Sequence, residues 1–132
     1  MSPLILVVED ESALVTLLRY NLEREGFRVA EARDGEEALL AAREQKPDLV
    51  LLDWMLPLLS GLEFAERLRA FAPTSHVPVL MLTARGYILS EAQIDRTNIR
   101  TVMGKPFAGK QLLEQVHALL ADAANGGVAR AA

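Results

Sequence analysis

Three short stretches of unbroken apolar sequence constrain this chain more than any other feature: Leu4-Ile5-Leu6-Val7-Val8, Leu49-Val50-Leu51-Leu52 and Pro78-Val79-Leu80-Met81-Leu82. None has a polar face, so each predicts a strand covered on both sides, as in a parallel sheet. Helical patterns lie between them. Ser12 is placed to cap a helix with apolar positions Leu14, Leu17, Leu18 and Leu22, closed by Gly26. Phe27 to Ala32 reads as a second strand, Asp34-Gly35 as a turn, and Glu36 to Gln45 as a helix that stops before Pro47. Ser60 and Glu63 have capping-box spacing ahead of Leu62, Ala65 and Leu68, and Pro73 marks that helix's exit. Leu89 to Thr97 is a weaker helical stretch, Thr101 to Met103 a short fifth strand, and Leu112, Leu113, Val116, Leu119 and Leu120 mark a last helix beginning poorly capped at Ala108-Gly109. Five strands alternating with five helices predict an α/β fold with a parallel sheet covered on both faces.

Composition narrows what such a fold can do. At 132 residues and 51% hydrophobic content the chain fits one domain with a real core. Eighteen acidic against fourteen basic residues, a formal charge of -4, argue against direct nucleic-acid binding by this domain. The absence of cysteine removes disulfides, thiolate zinc sites, iron-sulfur clusters and thiol catalysis, and fits a reducing compartment. No apolar run approaches the roughly 18 residues of a membrane span, and the start lacks a signal-peptide pattern, so the expectation is a cytoplasmic protein with no membrane partner. Neither G-x-G-x-x-G nor Walker A follows the first strand, and G-x-S-x-G is absent. The Ala- and Gly-rich end reads as a flexible tail or linker start over residues 122–132, leaving a domain over residues 1–121.

Doubly wound sheets bind ligands beyond the carboxyl ends of their strands. The polar residues found there are Glu9, Asp10 and Glu11 after strand one, Asp53 after strand three, Thr83 after strand four and Lys105 after strand five. Converging carboxylates need a cation to remain ionised together, and an all-oxygen set selects a hard ion such as Mg2+. A lysine and a hydroxyl beside it make a receptor for a phosphoryl group, with Asp53 as carboxylate nucleophile. Singly, each residue has a plainer reading: Asp10 or Glu11 as a cap of the first helix, Thr83 as a cap of the fourth, Lys105 as a solvated surface lysine. Asp53, directly after an apolar strand, is harder to explain that way. His76 and His117 are isolated and lack metal-ligand spacing, and Trp54 covers the rim.

The blocks Ile5-Leu6-Val7-Val8-Glu9-Asp10-Glu11, Leu51-Leu52-Asp53-Trp54-Met55-Leu56-Pro57 with Gly61, Met81-Leu82-Thr83-Ala84-Arg85 and Lys105-Pro106-Phe107 occur in the order seen in response-regulator receiver domains. From Pro3 to Ala121 the chain resembles that family, the phosphoacceptors of bacterial two-component signalling, and around Asp53 it is most similar to the OmpR/PhoB subfamily. The resemblance implies a flavodoxin-like fold of strand order 2-1-3-4-5 and phosphorylation on Asp53 by a histidine kinase or histidine phosphotransfer protein. It further implies Mg2+ held by Asp10, Asp53 and the Met55 carbonyl, with Glu9 holding a metal water. Thr83, the Ala84 backbone and Lys105 would contact the phosphoryl group, and the bond to Pro106 would be cis. Glu11 falls outside the family's core site. Catalysis would extend only to the domain's own phosphorylation and dephosphorylation, with a downstream effector that the sequence does not identify.

Departures from the family pattern bear on output. The aromatic residue usual three positions before the lysine is replaced by Val102, the usual Gly-Ala-Asp by Asn98-Ile99-Arg100, and Tyr87 and Ile88 make the start of the fourth helix region unusually apolar. Tyr87 is a candidate substitute for the missing aromatic. The charged pairs through which the subfamily dimerises are also largely missing, since strand five begins Arg100-Thr101 and helix five offers Gln111, Glu114 and Gln115. Two alternative functions follow: an interaction module that works without phosphorylation, and a Mg-dependent phosphatase of the haloacid dehalogenase kind. The latter normally carries D-x-D after strand one, where this chain has Glu9-Asp10-Glu11.

Overall fold

A computed structural model describes residues 2–56, 58–83 and 89–124. Five strands, β1 (Leu4–Val8), β2 (Arg28–Ala32), β3 (Leu49–Asp53), β4 (Val79–Thr83) and β5 (Ile99–Gly104), form one parallel sheet in the order β2-β1-β3-β4-β5. Helices α1 (Ser12–Arg24), α2 (Gly35–Gln45), α3 (Gly61–Ala70), α4 (Glu91–Arg96) and α5 (Gly109–Ala124) connect or follow them, and a short 3-10 turn, Ala72–Thr74, precedes β4. The expected doubly wound topology is therefore what the chain adopts.

The apolar strands feed two cores because successive side chains leave a strand on opposite faces. Leu4, Leu6 and Val8 of β1 join Val50, Leu52, Met81 and the buried faces of α2 and α3, including Ala38, Ala42, Phe64 and Leu68. Ile5 and Val7 point the other way, to Leu51, Leu80, Leu82 and the faces of α1 and α5 formed by Leu18, Leu22, Leu112 and Val116. This double burial explains why the central strands have no polar alternation.

Several local expectations are corrected. Ser12 is the first residue of α1 rather than its cap: Glu11 occupies the cap position without a side-chain cap bond, and the Ser12 hydroxyl accepts from Arg33 Nη1 at 2.9 Å. The buried stripe of α1 runs through Val15, Leu18 and Leu22, leaving Leu17 half exposed, and Phe64 rather than Leu62 is the buried aromatic-scale anchor of α3. Gly26 does close α1, in the left-handed region at φ 90°, with its amide on Glu23 and that of Phe27 on Leu22. Asp34 is more than a turn residue, since its side chain accepts from the Glu37 amide and caps α2. α4 is shorter than the sequence pattern, starting at a Ser90–Gln93 capping box and burying none of its residues. β5 is longer than expected, and pairing skips Arg100 between Ile99 and Thr101, a bulge in the edge strand. α5 continues to Ala124, so residues 122–124 of the expected tail are helical, while 125–132 lie outside the described residues.

Candidate functional site

Four strand ends build the site. After β1 the Glu9 amide still bonds Ala32 O at 3.0 Å, which holds the Glu9 side chain inward at 2% exposure, whereas the next residue, Asp10, faces solvent. Asp53 ends β3 at 7% exposure, and its Oδ1 accepts from the Met55 amide at 3.4 Å. Carboxylate oxygens of Glu9, Asp10 and Asp53 lie within 4.8 Å of one another. Thr83 is buried at the end of β4, one residue past Leu82, the register partner of Asp53. Its carbonyl receives the Lys105 amide at 2.6 Å, and the cis bond between Lys105 and Pro106 follows. From this anchor Lys105 Nζ reaches Glu9 Oε1 at 3.0 Å and Asp53 Oδ1 at 3.3 Å.

Charge and burial oppose each other here. Burial raises the Glu9 carboxyl above its ordinary pKa and the Asp53 charge adds to this, against hydrogen bonds from Lys105 and the Glu11 amide that lower it. Burial also works against charge on Lys105, yet Glu9 and Asp53 together raise its pKa. One ammonium thus faces two buried acids, with a third acid at the rim. The donors are all hard oxygens and their number exceeds the one cation among them, so the residues fit Mg2+.

Of the sequence-derived candidates, Glu9, Asp10, Asp53 and Lys105 converge, and Thr83 sits beside them. Glu11 does not: it is exposed, and its amide donates to Glu9 Oε2 at 3.2 Å. Ala84 and Tyr87 lie outside the described residues. Val102 is half-buried, paired with Met81 in the sheet and packed on the α2–α3 core. Trp54 is half-buried against the same core, which agrees with a covering role. His76 is exposed, and His117 Nε2 lies 2.8 Å from Glu25 Oε1, a surface contact between α5 and α1.

Two supporting features were not legible as such. Gly61 brings the start of α3 against the end of β3, where an added Cβ would lie 3.0 Å from Asp53 O and 3.1 Å from Trp54 O. Leu58, in the loop between β3 and α3, adopts φ 71°, a conformation that leucine rarely takes, and its side chain is 74% exposed. The sequence signals were Gly61 itself and, for Leu58, only its place in the apolar connection between Asp53 and Ser60.

Comparison with known proteins meets this geometry. The family model described as response regulator receiver domain matches residues 5–117. The chain belongs to the response-regulator receiver family. It is 47% identical, over 91% of its length and 53% of the relative's, to the phosphate regulon transcriptional regulatory protein PhoB of Rhizobium meliloti (strain 1021). The chain spans about half the length of the curated relatives it matches. Among solved structures it resembles the chemotaxis response regulator CheY4 of Vibrio cholerae, with TM-score 0.83 at 25% identity over 90% of this chain and 99% of that one. A second receiver domain, from the sensor histidine kinase PA1611 of Pseudomonas aeruginosa PAO1, has TM-score 0.81 and 27% identity, covering 92% and 99%, and carries a magnesium ion in its active site cleft. This receiver domain is a module of phosphorylation-based signalling. Among its described residues no helix is long and apolar enough to cross a membrane.

Proposed function

We propose that this receiver domain accepts a phosphoryl group on Asp53 from a phosphohistidine of a histidine kinase or phosphotransfer protein, in a Mg2+-dependent reaction. The observation that carries this reading is the bridge of Lys105 to both Glu9 and Asp53, which sets one cation beside a buried carboxylate nucleophile with further acids opposite. Asp53 attacks phosphorus, the P–N bond of the donor breaks, and the electron pair leaves with the imidazole. Lys105 then turns to a phosphoryl oxygen, and Thr83 donates its hydroxyl to another. Asp10, Asp53 and the Met55 carbonyl would hold the metal, with Glu9 binding one of its waters. Bound magnesium supplies positive charge that stabilises the transferring phosphoryl oxygens. Close approach of Gly61 to the Asp53 and Trp54 backbone supports the strand end that carries the nucleophile.

The domain turns over no external substrate, and its conformational state is read by a downstream effector. With Val102 in place of an aromatic, that output runs through another side chain. The comparisons do not favour a haloacid dehalogenase-type phosphatase or a module that works unphosphorylated. Acetyl phosphate with magnesium tests the reading: intact-protein mass is expected to rise by one phosphoryl group, and both metal chelation and Asp53→Asn are expected to abolish the gain. An unchanged adduct level in Asp53→Asn would falsify the assignment.

A further inference from the structure

Four strand ends feed the site, and the fifth, that of β2, leads into a cation that the transfer leaves unused. Arg33 directly follows Ala32, whose carbonyl holds the Glu9 amide at 3.0 Å, so the arginine stands one strand away from Glu9 at the same edge of the sheet. Its backbone is fixed by α2: Glu37 Oε1 accepts from the Arg33 amide at 3.0 Å, and Asp34 Oδ1 accepts from the Glu37 amide at 2.8 Å. Its guanidinium crosses to α1, where Nη1 donates to Ser12 Oγ at 2.9 Å. Ser12 lies two residues beyond Asp10, a separation of at most about 7 Å between Cα atoms. Lys105 approaches the acids from β5 at one side of the sheet, and Arg33 from β2 at the other.

The two cations differ in what they face. Lys105 is paired with Glu9 and Asp53, as Arg19 is with Glu23 and Glu31 and Arg96 with Glu66. Arg33 is exposed, and among the described residues its guanidinium has a neutral hydroxyl as its partner. A tethered charge about 10 Å from a rim changes the occupancy of that rim by ions at low salt, and salt screens the effect.

We propose that Arg33 is a steering residue of this site: held on Ser12, it draws the phosphate dianion of a phosphoryl donor toward the rim and weakens the rim's hold on Mg2+. This rests on the phosphoacceptor reading above and adds a residue from outside the converging set. The two effects have opposite signs because donor and metal carry opposite charges. A residue that merely supported the chain after β2 would, on removal, weaken the binding of both.

The test follows both ions in Arg33→Gln, which removes the charge, and Arg33→Lys, which keeps it. At about 10 mM ionic strength Arg33→Gln is expected to bind Mg2+ about two- to fourfold more tightly than wild type, read by Trp54 fluorescence in the absence of donor. At saturating Mg2+ it is expected to need about two- to fourfold more acetyl phosphate for half-maximal labelling, with the maximal rate unchanged. Arg33→Lys is expected to stay nearer to wild type in both measurements, and all differences are expected to vanish at about 0.5 M salt. Mg2+ affinity that falls or holds steady in Arg33→Gln overturns the proposal, as does an unchanged half-saturation or a difference that persists at high salt. A wild type that takes no phosphoryl group from acetyl phosphate sinks the phosphoacceptor reading instead, and the Mg2+ titration still decides whether Arg33 acts on the rim.

Discussion

Lys105 holds the balance of the site at the scale of single residues. Truncating it leaves Glu9 buried beside the Asp53 charge with no cation between them. Lys105→Ala is expected to lower metal-free stability by about 1–3 kcal/mol, read as the shift in a urea midpoint, and saturating magnesium, which binds the folded state of both proteins, is expected to raise both midpoints alike. Magnesium affinity itself, followed by Trp54 fluorescence, should persist, while phosphorylation by acetyl phosphate slows. Glu9 gives a pH signature of its own. Its folded pKa is raised above the unfolded value, so folding favours its protonated form. Stability contributed this way is complete below the ordinary carboxylate range and is lost as pH rises through the raised value. Metal-free wild type should therefore lose stability relative to Glu9→Gln across that interval, and urea midpoints at stepped pH would show the slope. All four converging acids and bases were readable from the sequence because strand ends in this topology share one rim. The inward turn of Glu9 against the outward turn of Glu11 was legible only through the family resemblance and not from the residues themselves, since it depends on which carboxylate the β1–β2 ladder carries past the last strand residue.

Elements differ in how openly their sequences announce them. β1, β3 and β4 are legible because burial on both faces leaves no polar position, and the Ser60–Glu63 capping box fixes the start of α3 at its true residue. α1 shows the limit of pattern reading: Leu17 fits helical spacing but lies on the side away from the sheet, where Val15 takes its place in the core. Apolar spacing alone does not say which of two adjacent stripes meets the sheet. α4 and β5 were blurred for another reason, since a six-residue helix with no buried residue and a bulged edge strand carry little periodicity to read. Gly61 ties α3 to the site. Gly61→Ala would press a methyl group against two backbone oxygens that cannot step aside, so it is expected to cost about 1–3 kcal/mol. It should also slow acetyl phosphate labelling more than the stability loss explains, because Asp53 itself is displaced; stability and labelling rate measured on one preparation would separate the two effects.

At the scale of the molecule, the candidate site lies at the carboxyl edge of the sheet, while β5 forms one of its two side edges. Gln111, Glu114 and Gln115 are exposed on α5 and Arg100 sits at the β5 bulge, so the charge pattern by which the subfamily pairs is largely missing from these residues. Beryllofluoride-activated protein is accordingly expected to sediment as a monomer, and a tight dimer through β5 that forms only on activation would contradict this. The Lys105–Glu9 contact has a consequence for when the chain becomes competent. It joins residues 96 apart in sequence. No partly made or partly melted chain can hold its ammonium there, because β1 waits for the strand that is synthesised last. Asp53 without Lys105 lacks the ammonium that the proposed transfer uses. Phosphoacceptance at full rate is therefore expected only of copies in which β1 and β5 have both joined the sheet, so a labelling rate also reports how many molecules have closed that long loop.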